Sequence, residues 1–109
     1  MTLDIWQPIE DLVTWLDTHT TQPADVELLL RLMKVVGEAG EVADAIDGVY
    51  GHNPRKGITH TWEDVDSELC DVILTAMAAL RSRTPDAAQT FKNHLSRVTA
   101  RSIATSVET

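Results

Sequence analysis

The sequence predicts an all-α protein, a helical bundle of about four helices. Three observations carry this. Apolar residues recur at helical spacing along most of the chain, strand-like alternation is weak, and helix start and stop residues punctuate the pattern at regular intervals. At 109 residues there is room for one domain over positions 1–109, and an apolar fraction of 43% is enough to form a core.

The first helix is expected over about Pro8 to Thr18, with Ile9, Leu12, Val13 and Leu16 on one side. The stretch Thr18 to Gln22 breaks it. Pro23 suits the first turn of a second helix, where Asp25 and Glu27 complement the positive end of the helix dipole. This helix is expected to reach about Val49 and to stop at Gly48 or Gly51. Its apolar residues, among them Leu28, Leu29, Leu32, Val35, Val36, Val42 and Ile46, cover more than one narrow stripe, as in a central helix or one buried between subunits. His52 to His60 reads as a loop, because Gly51, Asn53, Pro54 and Gly57 favour turns. Thr61 followed by Asp64 resembles a capping box and starts a third helix over about Trp62 to Arg81, with Leu69, Val72, Ile73, Ala76 and Leu80 on one side. Thr84-Pro85-Asp86 repeats the start signal for a fourth helix carrying Phe91, Leu95 and Val98. After about Ile103 the residues are small and polar, and fraying is expected.

The charge balance narrows the partners. Nine Lys and Arg against seventeen Asp and Glu give a formal charge of −8, which disfavours nucleic-acid backbones and anionic membranes. A small anionic substrate stays compatible with it, because bound metal ions reverse the local charge. Cys70 is the one cysteine, so no intrachain disulfide forms, and its apolar neighbours predict a small buried residue. No signal peptide and no apolar run approaching the ~20 residues of a membrane span are read, so a cytoplasmic location is expected.

Two acidic pairs interrupt the apolar pattern, Glu38-Ala-Gly-Glu41 and Glu68-Leu-Cys-Asp71. With roughly 100° per residue, Glu38 lies within roughly 80° of Val35, Val42, Ala45, Ile46 and Val49, on the apolar stripe, and Glu41 lies about 60° away at its edge. Asp64, Glu68 and Asp71 fall within roughly 60° of one another and flank the stripe of Leu69, Ala76 and Leu80. Asp44, Asp47, Glu63 and Asp66 read as a solvated face, with Asp44 and Asp64 next in rank for the cluster. An ionised carboxylate on a core-facing stripe needs a partner or a metal, and basic residues are scarce nearby, Lys34 and Arg31 being those on the second helix. Magnesium suits four facing carboxylates: it takes hard oxygen ligands and keeps positions for water and substrate phosphate. Manganese is its natural substitute. The scattered His19, His52, His60 and His94 and the single Cys do not suggest zinc, and His52 and His60 are expected at the loop surface.

Arg55 and Lys56, between the two acidic helices, could reach phosphates held by the metal; a solvated loop is the alternative. Arg97 and Arg101, four apart, offer a second phosphate contact against a surface role. Trp6, Trp15 and Trp62 are three of the five aromatic residues; Trp6 and Trp62 are the candidates for stacking on a base, with packing the commoner use of such rings. Gly37 and Gly40 each cost about 1 kcal/mol relative to Ala within a helix, so a second helix or a ligand is expected to approach the backbone there.

Lys34 to Ile46 (KVVGEAGEVADAI) followed by Glu68 to Ile73 (ELCDVI) resembles the MazG-like nucleoside triphosphate pyrophosphohydrolases, whose signature is E-x-x-E, a spacer, then E-x-x-D. The resemblance covers about Leu28 to Leu80. It implies an all-α fold assembled as a homodimer or homotetramer and magnesium held by Glu38, Glu41, Glu68 and Asp71. It also implies hydrolysis of a nucleoside triphosphate between the α and β phosphorus to monophosphate and pyrophosphate. A metal-activated water would make the attack, and Glu41, at the stripe's edge, is the expected base. Gly37 stands where many members carry a second Glu, and Lys92, Arg97 and Arg101 match the family's C-terminal basic residues only approximately. The rival expectation is therefore a MazG-like helical module that keeps the fold and oligomer, or senses nucleotides, without turnover.

Overall fold

The computed structural model describes residues 3–108, with side chains through position 104. It contains four helices: α1 (Trp6–His19), α2 (Ala24–Tyr50), α3 (Trp62–Arg83) and α4 (Ala87–Glu108). No strand occurs among the described residues.

Local chemistry sets each boundary. α1 begins before Pro8 because the Asp4 carboxylate accepts from the backbone N–H groups of Trp6 (3.0 Å) and Gln7 (3.3 Å), which otherwise lack partners. Pro23 stands just outside α2, and Asp25 and Glu27 occupy its first turn. Gly51 ends α2 at φ 61°, a left-handed conformation that glycine adopts without steric cost, so it is Gly51 and not Gly48 that stops the helix. Gly48 has another use. Thr59 N–H and His60 N–H both donate to its carbonyl, and a Cβ there would lie 2.0 Å from His60 Nδ1, so the return of the chain toward α3 requires glycine. The capping box at Thr61 forms as expected: Thr61 Oγ1 accepts from Asp64 N–H, and Thr61 N–H donates to the Asp64 carboxylate at 2.8 Å. Thr84 Oγ1 accepts from Asp86 N–H at 3.3 Å at the turn into α4, which stays helical beyond Ile103, the point where composition suggests fraying.

α3 is the central element and packs along α2, α1 and, over a shorter contact, α4. α2 and α3 are antiparallel, since Glu38 meets Glu68 and Asp71 near the middle while Arg31 reaches Ser82 near the far end. α1 also packs on α3, with Glu10 bonded to Arg81 at 3.1 Å and with Asp17 and Ser82, near the ends of the two helices, both bonded to Arg31. Ile9, Val13 and Ala78 form the core between them, with Trp6 and Met77 against it. The α2–α3 contact uses small residues, Ala45, Val65 and Ala79.

The protomer is open. Its radius of gyration is 17.7 Å, against about 13 Å for a compact domain of this length. Large apolar side chains lie outside: Leu29 is 59% exposed, Met33 67% and Val36 74% on α2, and Leu69 45% and Ile73 59% on α3. Phe91 and Leu95 on α4 are exposed too. The stripe of Leu69, Ile73 and Ala76 expected to be buried thus faces outward. Cys70, expected in the core, is exposed, because it falls on the side of α3 away from α2.

Candidate metal centre

The buried face of α2 carries Arg31, Glu38 and Ala45, which lie within roughly 40° of one another around the helix. Glu38 therefore points toward α3, its side chain 17% exposed, and Lys34, one turn earlier, places Nζ 3.1 Å from its Oε1. On α3, Glu68 lies about 20° from the buried Ala79 and about 60° from the buried Val65. It sits on the inner face, whereas the apolar stripe it was expected to flank lies outside. Glu38, Glu68 and Asp71 each offer a carboxylate oxygen, and these oxygens all fall within 4.8 Å of one another.

The electrostatics match this convergence. The Glu68 carboxyl is raised above its ordinary value, first by desolvation and then by the charges of Asp71, Glu41 and Glu38, with His60 acting in the opposite direction. Octahedral Mg²⁺ with oxygen ligands at about 2.0–2.1 Å sets those oxygens about 2.9 Å apart when adjacent and about 4.2 Å when opposite. The three oxygens lie within 4.8 Å of one another, and carboxylate oxygens are hard donors of the kind magnesium or manganese takes.

The structure separates the remaining candidates. Glu41 is exposed and stays outside the three converging acids, although its charge acts on Glu68. Asp64 is committed to the α3 cap, where hydrogen bonds from the Thr61 backbone and side chain hold its carboxyl below the ordinary value. Lys56 lines a cleft of about 330 Å³ with Asp44, Asp47 and His60, distinct from the cleft that contains Glu38 and Asp71. Arg55 is exposed on the same loop. Trp6 packs near Phe91, ring centroids 6.4 Å apart, in a groove with Ile73, Ala76 and Leu80, on the opposite side of α3 from the acids. Trp62 stands edge-on to Tyr50 at 6.1 Å, beside the α2–α3 loop. Arg97 and Arg101 are exposed on α4, with Arg97 Nη2 3.5 Å from His94 Nδ1.

A second cleft, about 270 Å³, opens directly beside the acids. Glu38, Asp71, Lys34, Arg31 and Thr75 line it, with Leu12, Leu16, Leu74 and Ala78 as its apolar residues. Arg31 is buried. Its Nε donates to Glu27 Oε2 at 2.7 Å, and Nη1 donates to Asp17 Oδ1 at 2.8 Å and to Ser82 Oγ at 3.0 Å. Burial acts to lower the guanidinium pKa, but the bonds to Glu27 and Asp17 win and hold it above the ordinary value. Nη2 is buried with no hydrogen-bond partner.

Sequence reasoning noted Arg31 only as a nearby cation. Its position seven residues before Glu38, about 20° around the helix, was the available signal that both share one face. His60, expected at the loop surface, is half-buried between Gly48 and the acids, a placement that depends on how the loop returns. Comparison with known proteins finds no matching family model, no matching curated protein and no matching solved structure.

Proposed function

We propose that the chain is a magnesium-dependent nucleoside triphosphate pyrophosphohydrolase that cleaves between the α and β phosphorus. The observation that carries this is the convergence of Glu38, Glu68 and Asp71 from the facing sides of two helices, with Glu68 raised by its surroundings. Glu38, Glu68 and Asp71 would hold the ion. A bound divalent ion supplies neutralisation of phosphate oxygens and a lowered pKa for water. Glu41, exposed and within electrostatic reach of the cluster, is free to take the proton as the water oxygen attacks the α phosphorus and the bond to the bridging oxygen breaks, releasing pyrophosphate. Lys34 Nζ, already beside Glu38, offers a positive charge to the leaving phosphates.

Assembly as a homodimer or homotetramer belongs to the same proposal. It is supported by the open protomer and by its outward apolar stripes on α2 and α3. No described helix is long and apolar enough to cross a membrane, and nucleotide-pool cleaning in the cytoplasm is the role proposed.

The test is pyrophosphate and monophosphate release from a panel of nucleoside triphosphates with Mg²⁺. Both products should appear together, and Glu38→Gln and Glu68→Gln should each remove them; absence of turnover across the panel at high enzyme concentration would sink the proposal. The position of Glu41 outside the converged acids favours one second reading, a MazG-like module that binds without turnover. Calorimetric titration with Mg²⁺ and a non-hydrolysable nucleotide separates that module, which would bind but not turn over, from a bare scaffold that binds neither.

A further inference from the structure

We infer that α4 is a basic arm that lies parallel along the outer face of α2 in a second copy of this chain. This rests on the oligomer in the proposed function for the partner, and on none of its chemistry. α4 leaves the body soon after it starts. Ala87 is fully buried and Phe91 packs near Trp6, but of the side chains from Lys92 to Ala104 only Val98 is even half-buried. Ser96, Val98, Thr99, Ser102 and Ile103 are modest helix formers, and a segment of that length without tertiary packing is marginal as a helix in water. The arm is nonetheless helical to Glu108, which calls for a surface to cover it.

Charge narrows the surface. Residues 87–109 carry Lys92, Arg97 and Arg101 against Glu108, a formal +2, so with a chain total of −8 residues 1–86 carry −10. A basic arm fits another copy of that acidic body. The side-chain pattern then selects α2. Leu29, Met33, Val36 and Gly40 are all exposed and fall within roughly 60° around α2, on the side opposite Glu38. Phe91, Leu95, Val98 and Ser102 repeat the same spacing on α4, three apolar side chains and then a small residue. With the helices parallel in this register, Leu29 meets Phe91, Met33 meets Leu95 and Val36 meets Val98. Nothing in the protomer lies within 4 Å of a Cβ built at Gly40, so the backbone there is open to the approach of Ser102. The same register places Arg101 on the flank that carries Asp44, about 7 Å from it along the axis, a span that a guanidinium side chain covers.

The experiment mixes two full-length chains under mild oxidation, one carrying Val36→Cys and the other Val98→Cys, both with Cys70→Ser, and maps the disulfides by mass spectrometry. A disulfide between positions 36 and 98 should dominate, and Ala100→Cys, on the opposite side of α4, should give little in place of Val98→Cys. All of these positions are at least half-exposed in the protomer, so the substitutions leave its packing in place. By sedimentation, Arg101→Glu should raise the dissociation constant of the assembly about tenfold, and adding Asp44→Arg should bring it back. Absence of the disulfide between positions 36 and 98, a dominant one between two copies of position 36, equal linking through position 100, or a defect that Asp44→Arg leaves unrepaired overturns the arm. Pyrophosphate release measured in parallel keeps the two proposals apart. Turnover by a chain that forms no such link leaves the enzyme and removes the arm; the link without turnover does the reverse.

Discussion

Glu68→Gln tests the proposed metal centre without requiring a substrate. Gln keeps the shape of Glu68 and removes the charge that desolvation, Asp71, Glu41 and Glu38 all disfavour. The sign follows from linkage. The folded-state pKa of Glu68 is raised above the ordinary 4.5, so its favourable contribution is fully present below that value and is lost as pH rises through the raised pKa. The metal-free wild type should therefore lose stability on this account as pH rises from the ordinary value through the raised one, and Glu68→Gln should not. At neutral pH without metal, the variant should melt at or above the wild-type temperature. Mg²⁺ reverses the order. At a hundredfold excess over its dissociation constant, an ion bound only by the folded chain adds about 2.7 kcal/mol, or about 10–20 °C for a domain of this size. If losing one of the three converging oxygens weakens binding about a hundredfold, the gain falls to about 0.4 kcal/mol and about 2–3 °C. Scanning calorimetry with Mg²⁺ and with a chelator reads both effects, with Asp47→Asn, on the opposite side of α2 from Glu38, as the charge-removal control. A full wild-type Mg²⁺ shift in Glu68→Gln, or a metal-free variant that melts below wild type, refutes the assignment.

Three further outcomes follow from the fold. Thr61→Ala removes the α3 cap and should cost about 1 kcal/mol, lowering the melting temperature by about 4–8 °C; because the folded pKa of Asp64 is lowered, its share of the cap is present above the ordinary 3.8 and should vanish as pH falls through the lowered value, measured as a converging pair of acid melts. At Gly40 a Cβ would meet nothing within 4 Å, so Gly40→Ala should stabilise an isolated protomer by up to about 1 kcal/mol in denaturant titration; a loss of stability that grows with protein concentration would instead place a partner helix against that backbone. Ile73→Lys, on the outward stripe of α3, should shift sedimentation toward a 12.0 kDa monomer, and a wild type that already sediments as a monomer at high concentration would remove the oligomer from the proposal.

The helices were legible because their ends are written in short-range chemistry: Thr61 with Asp64, Gly51 after Tyr50, Pro23 before Ala24. The inward placement of Glu38 was legible too, since angular position on a helix is fixed by spacing. What spacing does not decide is which of two apolar sides faces in. α2 is greasy nearly all round, and on α3 the stripe of Leu69, Ile73 and Ala76 is more apolar than the inner face of Val65, Glu68 and Ala79, yet the latter is inside. The burial of Arg31 likewise needs Asp17 from α1 and Ser82 from α3, partners 14 and 51 residues away in sequence. The close approach of a second helix expected at Gly37 and Gly40 does not occur among the described residues: no heavy atom comes within 4 Å of a Cβ built at either.

These features share one physical logic. The α2–α3 hairpin puts carboxylates and small residues inside and leaves its larger aliphatic residues outside, so its internal contact is weak by construction: no large side chain among the described residues is fully buried. A hairpin of that kind gains stability from whatever binds its folded form alone. On the proposed reading there are two such ligands, the cation between the acids and a second copy on the outward stripes. Each shifts the folding equilibrium by mass action, and for separate sites the two increments add. The melting temperature should then rise with Mg²⁺ and with protein concentration. An outward-facing substitution such as Ile73→Lys should lower the concentration dependence while leaving the Mg²⁺-induced increment of the folded monomer in place. Glu68, which the surrounding charges and desolvation disfavour in its ionised form, is on this account also a group that gives the hairpin its site, which is why its neutralisation is expected to stabilise the metal-free chain and to reduce its response to the metal.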